Sequence, residues 1–400
     1  MIAEPRTARR SRDSRRACRG VLLLAAWLGV SGALRADAKT PEIPVRLGPQ
    51  KVLLKHGQLG LKYFPDGAVS VLRPTRAAAC RMIVPVGIWT YLVEGNSLDE
   101  LTAARRVLAP GPAGQFDNGY AGVSSVYRHP DGKLYGFYHA EDQEGMPPIG
   151  GGVPGFFCSV GLCVSGDEGR SWRKLGQVIT SAKPKNWTAF ANQADRGAGE
   201  ITVVAGRDGK HLLAYYTEHS RMANRGVQIC LARADISDAR TPPGPGRWHK
   251  YRKGRFGPPG IGGLDTPVVS AAGLDDADAA FPHVSYSPHL GRYVMVYNIN
   301  VWKEYVTPGR TPAKSGIHVA YSADGIRWSA PHRLVRDYAV SRPGKSVSWH
   351  PTIVWSDARR SRGRLVYSHS PRWNHAHLGG TPHYMVAKDI GFDAARPPAK

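Results

Sequence analysis

Four stretches of the chain share one pattern: an apolar strand, a turn containing glycine, a second strand rich in tyrosine, and polar residues where that strand closes. They read YAGVSSVYRHPDGKLYGFYHAED from Tyr120, EITVVAGRDGKHLLAYYTEH from Glu200, FPHVSYSPHLGRYVMVYN from Phe281 and WHPTIVWSDARRSRGRLVYSH from Trp349. Short antiparallel units recurring at wide spacing predict a β-propeller, because no blade buries both of its faces until neighbours stack against it. After each pair comes a segment that reads as the outer half of a blade. These are TYLVEGNSLDELTAARRVLAPG from Thr90, SVGLCVSGDEGRSWRKLGQVIT from Ser159, GVQICLARADISDARTPPGPGRWHKY from Gly226, GIHVAYSADGIRWSAPHRLV from Gly316 and the short HYMVAKDIGF from His383. With VSVLRP and ACRMIVPV (residues 69–86) as the remaining inner pair, the fold class is all-β. The expectation is a five-bladed β-propeller of four-stranded antiparallel sheets, with six blades as the alternative count.

One stretch has helical spacing. In NSLDELTAARR, Asn96 to Arg106, Leu98, Leu101 and Ala104 recur about one turn apart after a serine or asparagine cap, though the same residues suit the polar turn of an outer strand. The Gly/Pro-rich stretches 145–155 and 242–263 read as long loops. No linker divides the remainder, so residues 39–400 form one propeller domain. The composition agrees: 46 glycines and 31 prolines suit many turns, and 42% hydrophobic content fills a large core.

Residues 1–38 stand apart. Arginines from Arg6 to Arg19 precede the apolar run Val21–Leu34, and Ala36-Asp37-Ala38 offers a small-x-small cleavage site, which predicts an export signal and a secreted or periplasmic protein with no retained membrane anchor. Ser14-Arg15-Arg16 resembles the core of a twin-arginine signal. This segment carries eight arginines and three acidic residues, so its removal lowers the formal charge from +23 to +18. Such a field favours anionic partners, acidic glycans among them, without naming one. The basic clusters KYRKGRF from Lys250 and ARRSRGR from Ala358 lie in predicted turns, and no nucleic-acid module is recognisable. Four cysteines remain (Cys80, Cys158, Cys163 and Cys230), in no zinc spacing, and either disulfides or buried free thiols fit them.

Two short motifs resemble known families. Ser165-Gly166-Asp167-Glu168-Gly169-Arg170-Ser171-Trp172 is similar to the Asp box of sialidases and other propellers, with Ser in place of Thr. Ser322-Ala323-Asp324-Gly325-Ile326-Arg327-Trp328 resembles the outer-strand turn of five-bladed glycosidases such as families 43, 32 and 130. Physically, such an Asp accepts backbone N–H groups across the turn, Gly permits positive φ and Trp covers the blade edge. The motif therefore speaks for a propeller more than for any chemistry.

Antiparallel pairing places the start of each first strand and the end of each second strand at one edge of the sheet. If the blades surround a funnel, those residues converge, while the turns HPDGK, GRDGK and PHLGR fall on the opposite face. The convergent set is polar. It includes Asp117, Tyr120, Arg196, Glu200, Asp265, Asp278, Trp349 and His350 before first strands, and His139, Glu141, Glu218, His219, Asn298, Asn300 and His369 after second ones.

Glycosidic cleavage needs two carboxyl groups, one to protonate the leaving oxygen and one to activate water or attack carbon. Glu200 is the preferred acid: family 43 enzymes similarly place an acidic Glu at the start of an inner strand, and Ala198, Gly199 and Ile201 predict desolvation that raises its pKa. Asp117 is the preferred base, although Asn118-Gly119 follows it where the family has Asp-Pro. Asp265 or Glu141 would tune Glu200, and Glu218 is a rival acid. His139, His350 and His369 suit sugar hydroxyls or an axial cation, as a central His binds in some family 43 propellers. The resemblance thus requires no cofactor and leaves room for a structural divalent cation such as calcium. Tyr120, Trp187 and Trp349 are candidates to stack on sugar faces. The expectation is a secreted, monomeric glycoside hydrolase acting on an oligo- or polysaccharide. A sialidase-like enzyme, with Arg81, Arg196 and Arg221 clamping a carboxylate, is one alternative; a non-catalytic glycan-binding propeller is the other.

Overall fold

The computed structural model describes residues 43–148, 154–186, 196–220, 226–238, 240–271, 274, 277–301, 304, 313–338, 345–372 and 382–394. Residues 1–38, expected to be an export signal, and the site candidates Trp187 and Arg221 lie outside these described residues. The first strand, β1 (Val45–Leu54), is set aside for the last blade. Blade one is β2 (Ser70–Val71), β3 (Cys80–Val86), β4 (Trp89–Ser97) and β5 (Glu100–Leu108). Blade two is β6 (Tyr120–Arg128), β7 (Leu134–Asp142), β8 (Phe157–Ser165) and β9 (Arg173–Ile179). Blade three is β10 (Ala198–Ala205), β11 (His211–Glu218), β12 (Gln228–Asp235), β13 (Trp248–Arg252) and β14 (Arg255–Pro259). Blade four is β15 (Ala277–Ser287), β16 (Arg292–Val301), β17 (Gly316–Ser322) and β18 (His332–Arg336). Blade five is β19 (Val347–Trp355), β20 (Arg362–Ser370) and β21 (Tyr384–Phe392), completed by β1, which pairs antiparallel with β21 from Val45 opposite Phe392 to Leu54 opposite Met385. The ring is a five-bladed propeller, closed by its own first strand.

Both faces of every blade are covered, so the second strands alternate between two apolar environments instead of between core and solvent. Along β11, Leu212, Ala214 and Tyr216 pack towards blade two while Leu213 and Tyr215 pack towards blade four. One hydrophobic cluster fills each of the five blade interfaces. This is why the second strands read as nearly continuous apolar and aromatic runs.

Near the axis, side chains of the innermost strands fasten each blade to the next. Ser70 Oγ donates to Ser124 O (3.2 Å), Ser124 Oγ to Ile201 O (2.9 Å) and Thr202 Oγ1 to Pro282 O (2.6 Å). His283 Nδ1 accepts from Ile353 N–H (3.3 Å), and Thr352 Oγ1 accepts from Val69 N–H (3.0 Å), which returns the circuit to blade one. The hoop surrounds a channel of about 490 Å³ that opens beside Trp355 and Arg360, on the face away from the polar funnel end.

Two local expectations are corrected. Residues 96–106 form a β-hairpin, not a helix: β5 pairs with β4 around bulges at Thr102 and Val107, and each bulge moves the buried face by one residue. The bulge at Thr102 thus turns Leu101 and Ala104 to one face, towards blade five, at a helical interval on an extended strand, and the bulge at Val107 turns Leu108 to the other, towards blade two. The segment 242–263 holds β13, the fourth strand of blade three, and β14, a fifth strand added at its edge, so it is not simply a loop. The four cysteines left open between bridges and thiols are free, three of them buried. In the turn between β8 and β9, Asp167 Oδ1 accepts from Ser171 N–H (2.9 Å), Gly169 has φ 82°, and Trp172 packs between blades one and two, as the turn chemistry requires.

Candidate active site

The polar groups meet at the funnel end of the innermost strands. Here β10, β15 and β19 each break register, between Gly199 and Ile201, Ala280 and His283, and Trp349 and Thr352. At the breaks, Glu200, Phe281 and His350 adopt left-handed backbone angles (φ 45°, 60° and 54°). Each is followed two residues later by a hoop residue: Thr202, His283 and Thr352. The same spacing from Val69 and Ser124 falls on Gly67 and Gly122, so the five blades align. A side chain in this backbone region costs roughly 1–3 kcal/mol and persists where surrounding structure enforces it, commonly at functional sites. Three such positions side by side mark this layer as the place where shape has been favoured over stability.

Glu200 is largely buried. Its Oε2 lies 3.0 Å from His219 Nε2, and its amide N–H donates to His139 Nδ1 (3.2 Å). The His139 ring in turn places Nε2 3.3 Å from Glu141 Oε1, and Gln143 Nε2 donates to the other Glu141 oxygen (3.0 Å). Asp66 faces His350, Oδ1 to Nε2 3.6 Å, and Tyr120 donates its hydroxyl hydrogen to the Asp66 carbonyl (2.6 Å). Three carboxylates and three imidazoles are thus paired: Glu200 with His219, Glu141 with His139, and Asp66 with His350.

Their electrostatics are coupled. Burial on its own raises the Glu200 pKa, as its apolar neighbours predict, but charged His219, His139 and His350 outweigh burial and lower it to about 2. The expected raised value is therefore corrected for the state in which those rings are protonated. Burial opposes this lowering, and the charges of the three rings and the His219 hydrogen bond set it. Burial disfavours the charged form of His139, while its hydrogen bond to Glu141 and the charges of Glu200, Glu141 and Asp66 reverse this and raise its pKa. The Glu200 amide opposes that rise, because it needs Nδ1 as an acceptor, and the geometry favours a proton on Nε2.

Other predicted site residues lie elsewhere. Asp117 is buried between blades one and two, where Lys174 Nζ stands 2.5 Å from Oδ2 and Tyr138 donates its hydroxyl hydrogen (3.0 Å). Asp265 repeats this arrangement beside blade three, with Lys250 Nζ at 3.1 Å and Tyr216 OH at 2.7 Å. Both aspartates are held by an Asp–Tyr–Lys clasp inside a blade interface, apart from the Glu200–His219 pair. Glu218 points into the same interface. Burial and the Asp265 charge raise its pKa to about 7, and Ser220 N–H donates to it (3.0 Å). Asn298 bridges blades four and five by donating to Ser348 O (3.0 Å). Trp349 is buried in an aromatic cluster with Phe281, Tyr63 and Tyr338, so it supports the layer from behind.

Of the three clamp arginines, Arg81 and Arg196 are not brought together, and Arg221 lies outside the described residues. Arg81 is fully buried at the opposite end of blade one, where it bonds Glu94 (2.8 Å) and the Glu168 carbonyl (2.8 Å), while Arg196 lies at the funnel end, over Phe156. His369 sits apart from His139 and His350, bonded to Ser348 Oγ (3.0 Å). Among the described residues no three His, Cys, Asp or Glu side chains form a metal cage. The sequence reading passed over Asp66 and Phe281, and it noted His219 without a role. For Phe281 the signal was the shared offset from the hoop positions, visible only once the innermost strands are aligned; Asp66 stands one residue before Gly67, the position at that offset, and His219 follows a second strand.

No protein-family model and no curated protein matches the chain. Its likeness to solved structures is one of fold. An α-L-arabinofuranosidase from Lactobacillus brevis is 14% identical over 82% of this chain and 91% of its own, with a TM-score of 0.51. Zg3597, a family 117 glycoside hydrolase of Zobellia galactanivorans, is 12% identical over 90% of this chain and 94% of its own (TM-score 0.49). An endo-arabinase from Bacteroides thetaiotaomicron is 12% identical over 84% and 96% (TM-score 0.46). The chain shares the five-bladed architecture.

Proposed function

We propose that the chain is an exported glycosidase that hydrolyses a glycosidic bond at the funnel end of its innermost strands. The observation that carries this reading is the convergence of Asp66, Glu141 and Glu200, each paired with an imidazole, on a layer of strained left-handed residues. Asp66, a quarter exposed and backed by His350, takes the proton of a water that attacks the anomeric carbon. The Glu200–His219 pair, which holds one proton between a buried carboxylate and an imidazole, gives it to the leaving oxygen. Glu141 fixes the His139 tautomer, and Tyr120 holds the backbone at Asp66; both are positioning residues. The fold likeness to an arabinofuranosidase makes arabinan and aryl arabinofuranosides the first substrates to try, beside other neutral and acidic glycans.

The test is product release by residues 39–400 and by the Glu200→Gln and Asp66→Asn variants. Loss of release in both variants, with folding retained, supports the reading; unchanged hydrolysis in either one sinks its assignment. The held-down carboxyl of Glu200 favours a second reading, glycan binding without cleavage. Retained binding with no product from any glycan, unaffected by Glu200→Gln, would establish it.

A further inference from the structure

The outer hairpin of blade three, β13–β14, breaks two local rules within four residues. Arg252 and Arg255 are directly paired across β13 and β14, and like charges opposite one another destabilise a hairpin. Between them, Lys253 and Gly254 take φ 46° and 92°, the double left-handed turn that prefers Asn-Gly, with a long cationic side chain at the first position. No carboxylate among the described residues pairs with Arg252, Lys253 or Arg255, and Arg233 lies with its guanidinium 4.4 Å from the Phe256 ring centre on the neighbouring strand pair. Local rules broken without compensation inside the fold point to a function outside it.

The cations also border a cavity. Arg252, Lys253, Arg255 and Phe256 line a hollow of about 600 Å³. The turn at Lys253 lies at the funnel edge of the blade, because β13 runs towards the same end as β9 and β11. From this the geometry points to a second binding site: the β13–β14 ribbon takes an anionic polysaccharide, sulfated or carboxylated. Guanidinium forks bind sulfate or carboxylate bidentately, and Phe256, packed between Tyr251 and the Arg233 guanidinium, holds the ribbon that carries them in place. The choice of a polysaccharide over another polyanion rests on the glycosidase reading of the funnel, which lies on the same side and would receive the same chain.

The experiment measures binding of dextran sulfate, polygalacturonate and neutral arabinan to the Glu200→Gln protein, at several salt concentrations. The ribbon variant carries Arg252→Ser, Lys253→Ser and Arg255→Ser; the control carries Lys133→Ser, Arg170→Ser and Lys210→Ser, an equal charge change on exposed positions of the opposite face. The ribbon variant is expected to bind one of the two anionic polymers at least tenfold more weakly and with a shallower salt dependence, while the control binds as before and arabinan binding is unchanged. Equal weakening in both variants would reduce the effect to net charge and overturn the site. Tighter binding of duplex DNA than of either polysaccharide at equal salt would overturn the ligand class. Hydrolysis of a small neutral glycoside, measured in the same ribbon substitutions with Glu200 intact, reports on the funnel separately: its absence in all proteins refutes the glycosidase reading and leaves the binding result to stand alone.

Discussion

Replacing Gly199 by alanine should disable the site through His139. A Cβ built on Gly199 would lie 2.1 Å from His139 Nδ1 and 2.6 Å from its Cε1, with Cys158 Sγ at 3.3 Å behind. Carbon and nitrogen do not approach within about 3.4 Å without strain, so the ring must retreat by about 1 Å or more. It would then lose the Glu200 amide hydrogen bond (3.2 Å) and the Glu141 contact (3.3 Å) together. Two hydrogen bonds at about 1 kcal/mol each and an overpacking strain of about 1–3 kcal/mol place the destabilisation near 4 kcal/mol. In a domain of this length that is a fall in Tm of roughly 5 °C. A misplacement of about 1 Å beside the reacting groups should lower kcat/KM about 100-fold. Differential scanning calorimetry and hydrolysis rates read both numbers. The His139→Ala background supplies the control, since without the ring the added methyl has space and the two substitutions should be strongly non-additive. A Gly199→Ala protein with Tm within about 1 °C of the parent and kcat/KM within about threefold would refute the placement of His139 against Glu200.

Asp66→Asn should abolish hydrolysis, by about 1000-fold or more, at nearly unchanged Tm, whereas Asp117→Asn should leave kcat intact and cost about 1–3 kcal/mol by loosening its clasp with Lys174; rates and melting curves of the two variants separate catalysis from support. The Glu200 carboxyl titrates lower in the fold than its ordinary 4.5, at about 2, so its ionised form stabilises the fold above pH 4.5 and this contribution, about 3 kcal/mol, disappears as pH falls towards 2. Acid unfolding of Glu200→Gln should lack that component. Glu218 behaves oppositely: burial and Asp265 raise its pKa to about 7, so stability falls as pH rises from 4.5 to 7. Glu218→Gln should therefore raise Tm at pH 8 and leave it unchanged at pH 4.

The inner pairs were legible because each combines a hairpin turn with a second strand that is apolar on both faces, and only stacked blades ask for that pattern. β1 was not legible. VRLGPQKVLL has no hairpin partner beside it, and its pairing with β21 at the far end of the chain leaves no local mark. Asp66 escaped for a related reason: it precedes β2, a two-residue strand too short to announce where its blade begins. Asp117 and Asp265 stood before strands as the geometry required, yet the sequence does not tell that Lys174 and Lys250 reach across their blades to hold them. The helical spacing at residues 96–106 had a physical origin, the bulge at Thr102, that periodicity alone reads as a helix.

The closing strand governs the order in which this molecule can be finished. The fifth sheet joins the beginning of the chain to its end, with Lys388 bonded to Gly48 340 residues away. Until β21 has been made, β1 has no partner, and its apolar end, Leu53 and Leu54, has no sheet to pack in. Four blades have every strand they need from contiguous sequence; the fifth must wait, and the hoop at the axis waits with it. Completion is then a single long-range event, slow by the entropy of joining distant ends. A circular permutant that moves residues 43–55 behind residue 394 would turn that event into the formation of one more local hairpin.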